Sequence, residues 1–94
     1  MTSRQIKITE FFASFSEEVV RLFDDVESAG HAGGYMEWAN GRVGNCEVYF
    51  LWFPRRGVLH YVVVVGGEKA EESVKAATAA EALAAAKIVI SRCR

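Results

Sequence analysis

The run VYFLWFPRRGVLHYVVVV, from Val48 to Val65, constrains the fold more than any other stretch of the chain. Two apolar segments flank Pro54-Arg55-Arg56-Gly57, which holds the chain's only proline. Both flanks are rich in β-branched and aromatic residues, the composition of strands. Proline and glycine between them specify a turn. A four-residue turn places Phe53 opposite Val58. Alternation then assigns Cys46, Val48, Phe50 and Trp52, with Leu59, Tyr61, Val63 and Val65, to one face. Glu47, Tyr49, Leu51 and Phe53, with Val58, His60, Val62 and Val64, take the other. The first face is apolar apart from the Tyr61 hydroxyl, and the second is apolar with a few polar atoms. A one-residue slip in register leaves both faces apolar.

The remaining elements are read around this hairpin. Residues 9–28 predict an amphipathic helix, because Phe12, Phe15, Val19, Phe23 and Val26 recur at spacings of three and four. Ser14 with Glu17 offers a capping box, and Thr9 is an equal candidate for the start. Gly30 ends the helix and GHAGG reads as a flexible junction. Asn40-Gly41 predicts a type I′ turn between strands at 34–39 and 42–53, with a bulge at Gly44-Asn45. Gly66-Gly67 turns the chain again. The last third fits one helix from residue 68, or a strand at 71–76 followed by a helix at 79–91. Thr78 and Glu81, placed as a capping box, favour the second. The expected fold is α+β: helix, three- or four-stranded antiparallel meander, helix, with both helices on one face.

Ninety-four residues make a single domain over 1–94, with no repeat and no linker tract. Residues 1–30 carry three basic and six acidic groups, 31–67 carry three and two, and 68–94 carry five and four. This balance opposes duplex binding driven by charge, which needs a strongly basic surface. Cys46 and Cys93 form no CxxC and have no His at ligand spacing, so they read as two reduced cysteines, with a disulfide as the alternative. The start MTSRQIKITEFF has no apolar signal region, and the apolar runs are too short to span a bilayer. A cytoplasmic protein with no membrane partner is expected.

Two helices cover one face of a small sheet, not both. Monomers rarely expose apolar patches beyond roughly 300–600 Å². The face with Tyr49 and Phe53 therefore asks for a cover: a second subunit, a partner protein or stacked bases. Tyr35, Trp38, Tyr49, Trp52 and Phe53, with Arg42, Arg55 and Arg56 nearby, have the residue types that stack single-stranded bases and hold phosphates. Of these, Trp52 lies on the side expected to seat the helices. Leu51, Val58, His60 and Val62 are the expected subunit interface. His31 and His60 have no metal-ligand spacing, and Glu47 with His60 lacks a nucleophile, so no metal, cofactor or catalytic residue is expected. GHAGG lacks the GxGxxG and P-loop patterns.

Two family resemblances bear on this reading. VGG, a short segment and then TAAEALAAAKIVI resemble the end of a double-stranded-RNA-binding domain, over about residues 46–91. The order helix, meander, helix is also similar to that domain's. Lysines make that family's RNA contacts at the start of the last helix, whereas Ala79, Ala80 and Leu83 stand there in this chain. GGYMEW and VYFLWFPRRG resemble the ThermoDBP-like archaeal single-stranded-DNA-binding proteins. That resemblance implies an antiparallel sheet with helices and an apolar cleft for bases. The expected function is a non-enzymatic, oligomeric nucleic-acid-binding domain that favours single-stranded DNA or RNA. The alternative is a small interaction or inhibitor module that offers the same face to a protein.

Overall fold

The computed structural model describes residues 14–94. A short helix α1 (Ser14–Val19) runs into a single 3-10 turn, Val20–Leu22. Five strands follow: β1 (Asp25–Ala32), β2 (Met36–Val43), β3 (Cys46–Phe53), β4 (Val58–Val65) and β5 (Glu68–Lys75). Helix α2 (Ala79–Ser91) closes the chain. Each strand pairs antiparallel with the next, in the order β1-β2-β3-β4-β5. The α+β class and the antiparallel meander match expectation, with five strands in place of three or four.

The additional strand, β1, comes from the tail of the expected first helix and from the stretch that reads as the GHAGG junction. Past Leu22 the backbone turns extended at Phe23, with φ −82° and ψ 147°. The Asp24 N–H then donates to the Arg42 carbonyl at 2.9 Å, and residues 25–32 pair along β2. The helical spacing did identify side chains that bury, since Phe15, Val19 and Phe23 are all in the core. Val26, the next in that series, lies exposed on the edge strand. Pairing with β2 overrides the local helical preference of this segment. Thr9 and Phe12 lie outside the described residues.

Asn40-Gly41 is not a turn. It lies inside β2, and the hairpin closes four residues later at Gly44-Asn45, where Gly44 takes φ +58°. Gly41 has a different reason to be glycine. A Cβ there would collide with the Asp25 carbonyl oxygen and come within 3.1 Å of the Phe23 ring. The residue thus admits the chain that crosses over the sheet from α1, a close approach that reads like a turn signal in sequence.

The other turns stand where expected. Phe53 pairs with Val58 across Pro54–Gly57, and Gly57 N–H donates to the Phe53 carbonyl at 2.9 Å. Of the two readings of the last third, strand then helix is the one adopted. Thr78 caps α2 by accepting from the Glu81 N–H at 3.1 Å, and Glu81 accepts in return from the Ala77 N–H at 2.7 Å.

The core lies between the helices and one face of the sheet. Phe50 is its centre, 1 % exposed. Its ring meets Phe15 edge-on at 6.3 Å, stacks on Phe23 at 6.1 Å and tilts against Tyr61 at 6.3 Å. Ala82 and Ala86 are fully buried on α2, alongside Val89 and Ile90. Of the face predicted to seat the helices, Cys46, Val48, Phe50, Trp52, Leu59 and Tyr61 are buried.

Two devices tie the helices down. Glu37, on β2, is only 1 % exposed, and its carboxylate accepts the Ser16 N–H at 2.8 Å. A sheet residue thus caps the first turn of α1, whose N–H groups have no partner within the helix. Burial raises the Glu37 pKa, opposed by the Ser16 and Phe15 N–H groups and by the charge of His31. The second device is covalent. Cys46 and Cys93 form a disulfide, with their Cα atoms 5.9 Å apart, so the expectation of two reduced cysteines is corrected. Sequence could not show it, because the partners are 47 residues apart and are brought together only by folding. Around it, Asp24 accepts from the Gly44 N–H at 2.7 Å and pairs with Arg94 at 3.3 Å. The Gly44 N–H foremost, and Arg94 with it, hold the Asp24 carboxyl below its usual range.

Closing a loop of this length is worth about 4 kcal/mol by the chain-entropy relation. Cys46→Ser with Cys93→Ser is expected to lower unfolding stability in denaturant by about 2–5 kcal/mol. A loss below about 0.5 kcal/mol would mean that the bond does not constrain the unfolded chain. For Glu37 the sign follows from its raised pKa. The folded protein holds this proton more tightly than the unfolded chain does. The group therefore stabilises below its ordinary value of 4.5, and this contribution is lost as pH rises through the higher folded value. Glu37→Gln keeps an acceptor for Ser16 and removes the titration. The melting temperature of wild type relative to this variant is expected to fall as pH rises above 4.5. Parallel profiles would remove the carboxylate from this role.

Candidate functional site

The side of the sheet away from the helices is a partly exposed apolar face. Strand register defines its rows. Gly30, Trp38, Leu51, His60 and Ser73 form one row from β1 to β5, and Ser28, Asn40, Tyr49, Val62 and Glu71 form the next. A depression of about 510 Å³ opens here, lined in part by Met36, Trp38, Tyr49, Leu51, His60 and Val62.

Trp38 is the best-seated ring on this face. Its Nε1–H donates to Ser28 Oγ at 3.2 Å, and its six-membered ring covers Gly30. A Cβ on Gly30 would come within 2.8 Å of Trp38 Cζ2, so this glycine makes room for the indole. Tyr49 donates to Glu47 at 3.3 Å, and the Glu47 charge, then partial burial, raises its pKa. His60 Nδ1 and Ser73 Oγ share a hydrogen bond of 2.8 Å.

One end of the face is basic. There the β1–β2 and β3–β4 turns lie side by side. The Arg55 guanidinium sits 4.5 Å over the Tyr35 ring, and that of Arg56 5.4 Å from the Phe53 ring. Tyr35 is 66 % exposed. Among the described residues, neither arginine has a carboxylate within ion-pair distance. At the opposite end, Arg42 lies 3.8 Å from Glu47, in a shallow cleft with Asp25 and Glu27.

Of the residues expected to bind nucleic acid, the structure gathers Tyr35, Trp38, Tyr49, Phe53, Arg55 and Arg56 on this face and at its basic margin. Leu51, Val58, His60 and Val62, the expected interface, lie on the same face, half-buried. Two residues stand apart. Trp52 is 5 % exposed in the core, and its Nε1–H donates to the Ala76 carbonyl at 2.9 Å, so it offers no face to a base. Arg42 belongs to the acidic end. Sequence reading misses Asn40, because Asn40-Gly41 reads as a turn, and Met36, because the expected strand at 34–39 is given no inner and outer face. Alternation carried from Met36 to Arg42 would have placed both beside Trp38. Lys75 was also missed; it lies opposite Val58 at the basic end.

Among the described residues, no group of three or more His, Cys, Asp or Glu is placed to hold a metal ion. No described helix is long and apolar enough to cross a membrane.

The seating of Trp38 is testable in a Trp52→Phe background, where the emission reports Trp38 alone. Gly30→Ala is expected to lift the indole and shift its emission to the red without unfolding the domain. An unchanged spectrum would show that the ring does not rest on Gly30.

No family model, no curated protein and no solved structure matches this chain.

Proposed function

We propose that the chain is a non-enzymatic binding module and that the outer sheet face takes single-stranded nucleic acid at its basic end. The observation that carries this reading is the pair Arg55 and Arg56. Both are exposed, both lie against aromatic rings, and neither has a carboxylate partner among the described residues. An arginine stacked on a ring keeps its outer N–H groups free for phosphate. Tyr35, Trp38 and Phe53 then offer ring faces to bases, and stacking is worth about 1–3 kcal/mol per base. Helices behind a sheet and aromatic rings on its open side form an arrangement suited to this task. Tyr49 contributes from the middle of the face, where Glu47 beside it disfavours phosphate. Trp52 and Arg42 have no part in the site.

A second reading, a protein partner on the same face, is favoured by its centre. Leu51, Val58, Val62 and Val64 are aliphatic and half-buried, which suits packing against side chains more than stacking of bases.

Titration with short single-stranded oligonucleotides at low salt tests the first reading. Quenching of Trp38 emission is expected, with a log–log salt slope of about −1.4 for two phosphates held by Arg55 and Arg56. Phe53→Ala is expected to weaken binding by about 1–3 kcal/mol, and Trp52→Phe to leave it unchanged. Emission unmoved by saturating DNA and RNA oligomers would end the nucleic-acid reading.

A further inference from the structure

The charges around the outer face are segregated by sign. At the turn end stand Arg55, Arg56 and Lys75, all exposed, with no acidic residue on the outer face there among the described residues, a net of +3. Toward the other end Asp25, Glu27 and Glu47 stand with Arg42 and Lys69, a net of −1, and Glu71, one row inward beside Val62, brings that half of the face to −2. Between the two ends lies the apolar field of Trp38, Tyr49, Leu51 and Val62.

We infer that, when no strand is bound, this face is covered by a second copy of the chain, packed sheet to sheet about a two-fold axis perpendicular to the strands. Such an axis reverses strand direction. It lays the basic end of each copy over the acidic end of the other, while near the axis Leu51 of one copy meets Tyr49 of the other and Val62 meets His60. A two-fold axis along the strands would set +3 against +3 and −2 against −2, so charge selects between the two. One occupant thus covers the apolar centre and sets Arg55 and Arg56 toward the Glu47 end of the other copy, while on β5, which lies over its own counterpart, Lys75 comes over Lys69. A single strand complements only the basic end.

The size of the face suffices. Five strands of eight residues each present a footprint of roughly 24 by 27 Å. Two such faces bury upwards of about 1,200 Å², the lower bound for a stable interface. Aligned sheets pack face to face with a rotation of about −30°, which the sheets' own twist supplies.

The edges point the same way. β1 carries Asp25 and Glu27 and a register irregularity between Val26 and Ser28. β5 carries Glu68, Lys69, Glu71, Glu72 and Lys75. Charges and a bulge are the features that block edge-to-edge pairing. Self-association is thereby directed to the face.

The inference goes beyond the nucleic-acid reading and does not need it, although a strand bound at Arg55 and Arg56 would displace the second copy. Light scattering coupled to size exclusion is expected to give the wild-type protein twice the 10.4 kDa chain mass. Arg55→Glu with Arg56→Glu is expected to be monomeric, and so is Glu47→Lys with Glu71→Lys. An equimolar mixture of the two variants is expected to return to the doubled mass, since each supplies the charge the other lost. Circular dichroism and thermal unfolding check that each variant is folded. Should the first variant fail to fold, Arg55→Glu with Lys75→Glu replaces it. A wild-type protein at the chain mass, an assembly other than two, or a dimer that survives both reversals would overturn the proposal. So would a mass increase due to co-purified nucleic acid or a different protein. A dimer that ignores saturating oligonucleotide, with no quenching, leaves self-association standing and removes the nucleic-acid reading. Quenching by a wild-type monomer does the reverse.

Discussion

A strand that is apolar on both sides governs this molecule. β3 directs Phe50 and Trp52 inward and Tyr49, Leu51 and Phe53 outward, because successive side chains on a strand point to opposite faces. Phe50 collects Phe15, Phe23 and Tyr61 around it, and Trp52 adds contact with Phe15. The described helices are one of thirteen residues and one of six. Among the described residues they cover one side of the five-stranded sheet and leave the other open. The open outer face follows from the same alternation that builds the core.

The helix cover is thin, which explains the fixtures around it. A six-residue helix is about 9 Å long and far too short to persist on its own. It is held by what it touches: Phe15 and Val19 in the core, and the Glu37 carboxylate on its first turn. A buried carboxylate is unfavourable unless hydrogen-bonded, and the helix terminus supplies the donors it needs. At the far end of α2, the bond from Cys93 to Cys46 fixes the C-terminus to the start of β3. Gly44 makes this possible twice. It takes the turn's positive φ, and a Cβ there would sit 2.6 Å from the Cys93 carbonyl oxygen.

The parts legible in sequence were those set by local pattern. The β3–β4 register follows from alternation and a proline turn, and the capped start of α2 from Thr78 and Glu81. The parts that were not legible depend on contacts between distant segments. Residues 25–32 become a strand because β2 is there to pair with them, although Val26 continues the helical spacing of Phe15, Val19 and Phe23. Gly41 looks like half of a turn and is a clearance for Phe23. Gly30 looks like a helix stop and is a seat for Trp38. In the candidate site, Tyr49, Phe53, Arg55 and Arg56 were found because they flank a strong turn. The split of charge along the face went unseen, because it requires Asp25 and Glu27 to stand on a strand beside Arg42.

That split is what distinguishes the ways of covering the face. An apolar surface alone says that something should bind and nothing about what. Phosphate needs cations that are not already neutralised, and the turn end supplies these in Arg55 and Arg56. It also needs a path free of carboxylates, and Glu47, Glu27 and Asp25 close the path along the strands. On the proposed reading, a nucleic acid strand would be confined to the turn end and would run across the sheet, near Tyr35, Phe53 and Val58. A protein surface with charges in the reverse order has no such restriction and can use the full length of the strands. The chain itself carries such a surface when turned end for end. The two proposals, a short contact with nucleic acid and a long one with a second copy, would therefore compete for Arg55 and Arg56.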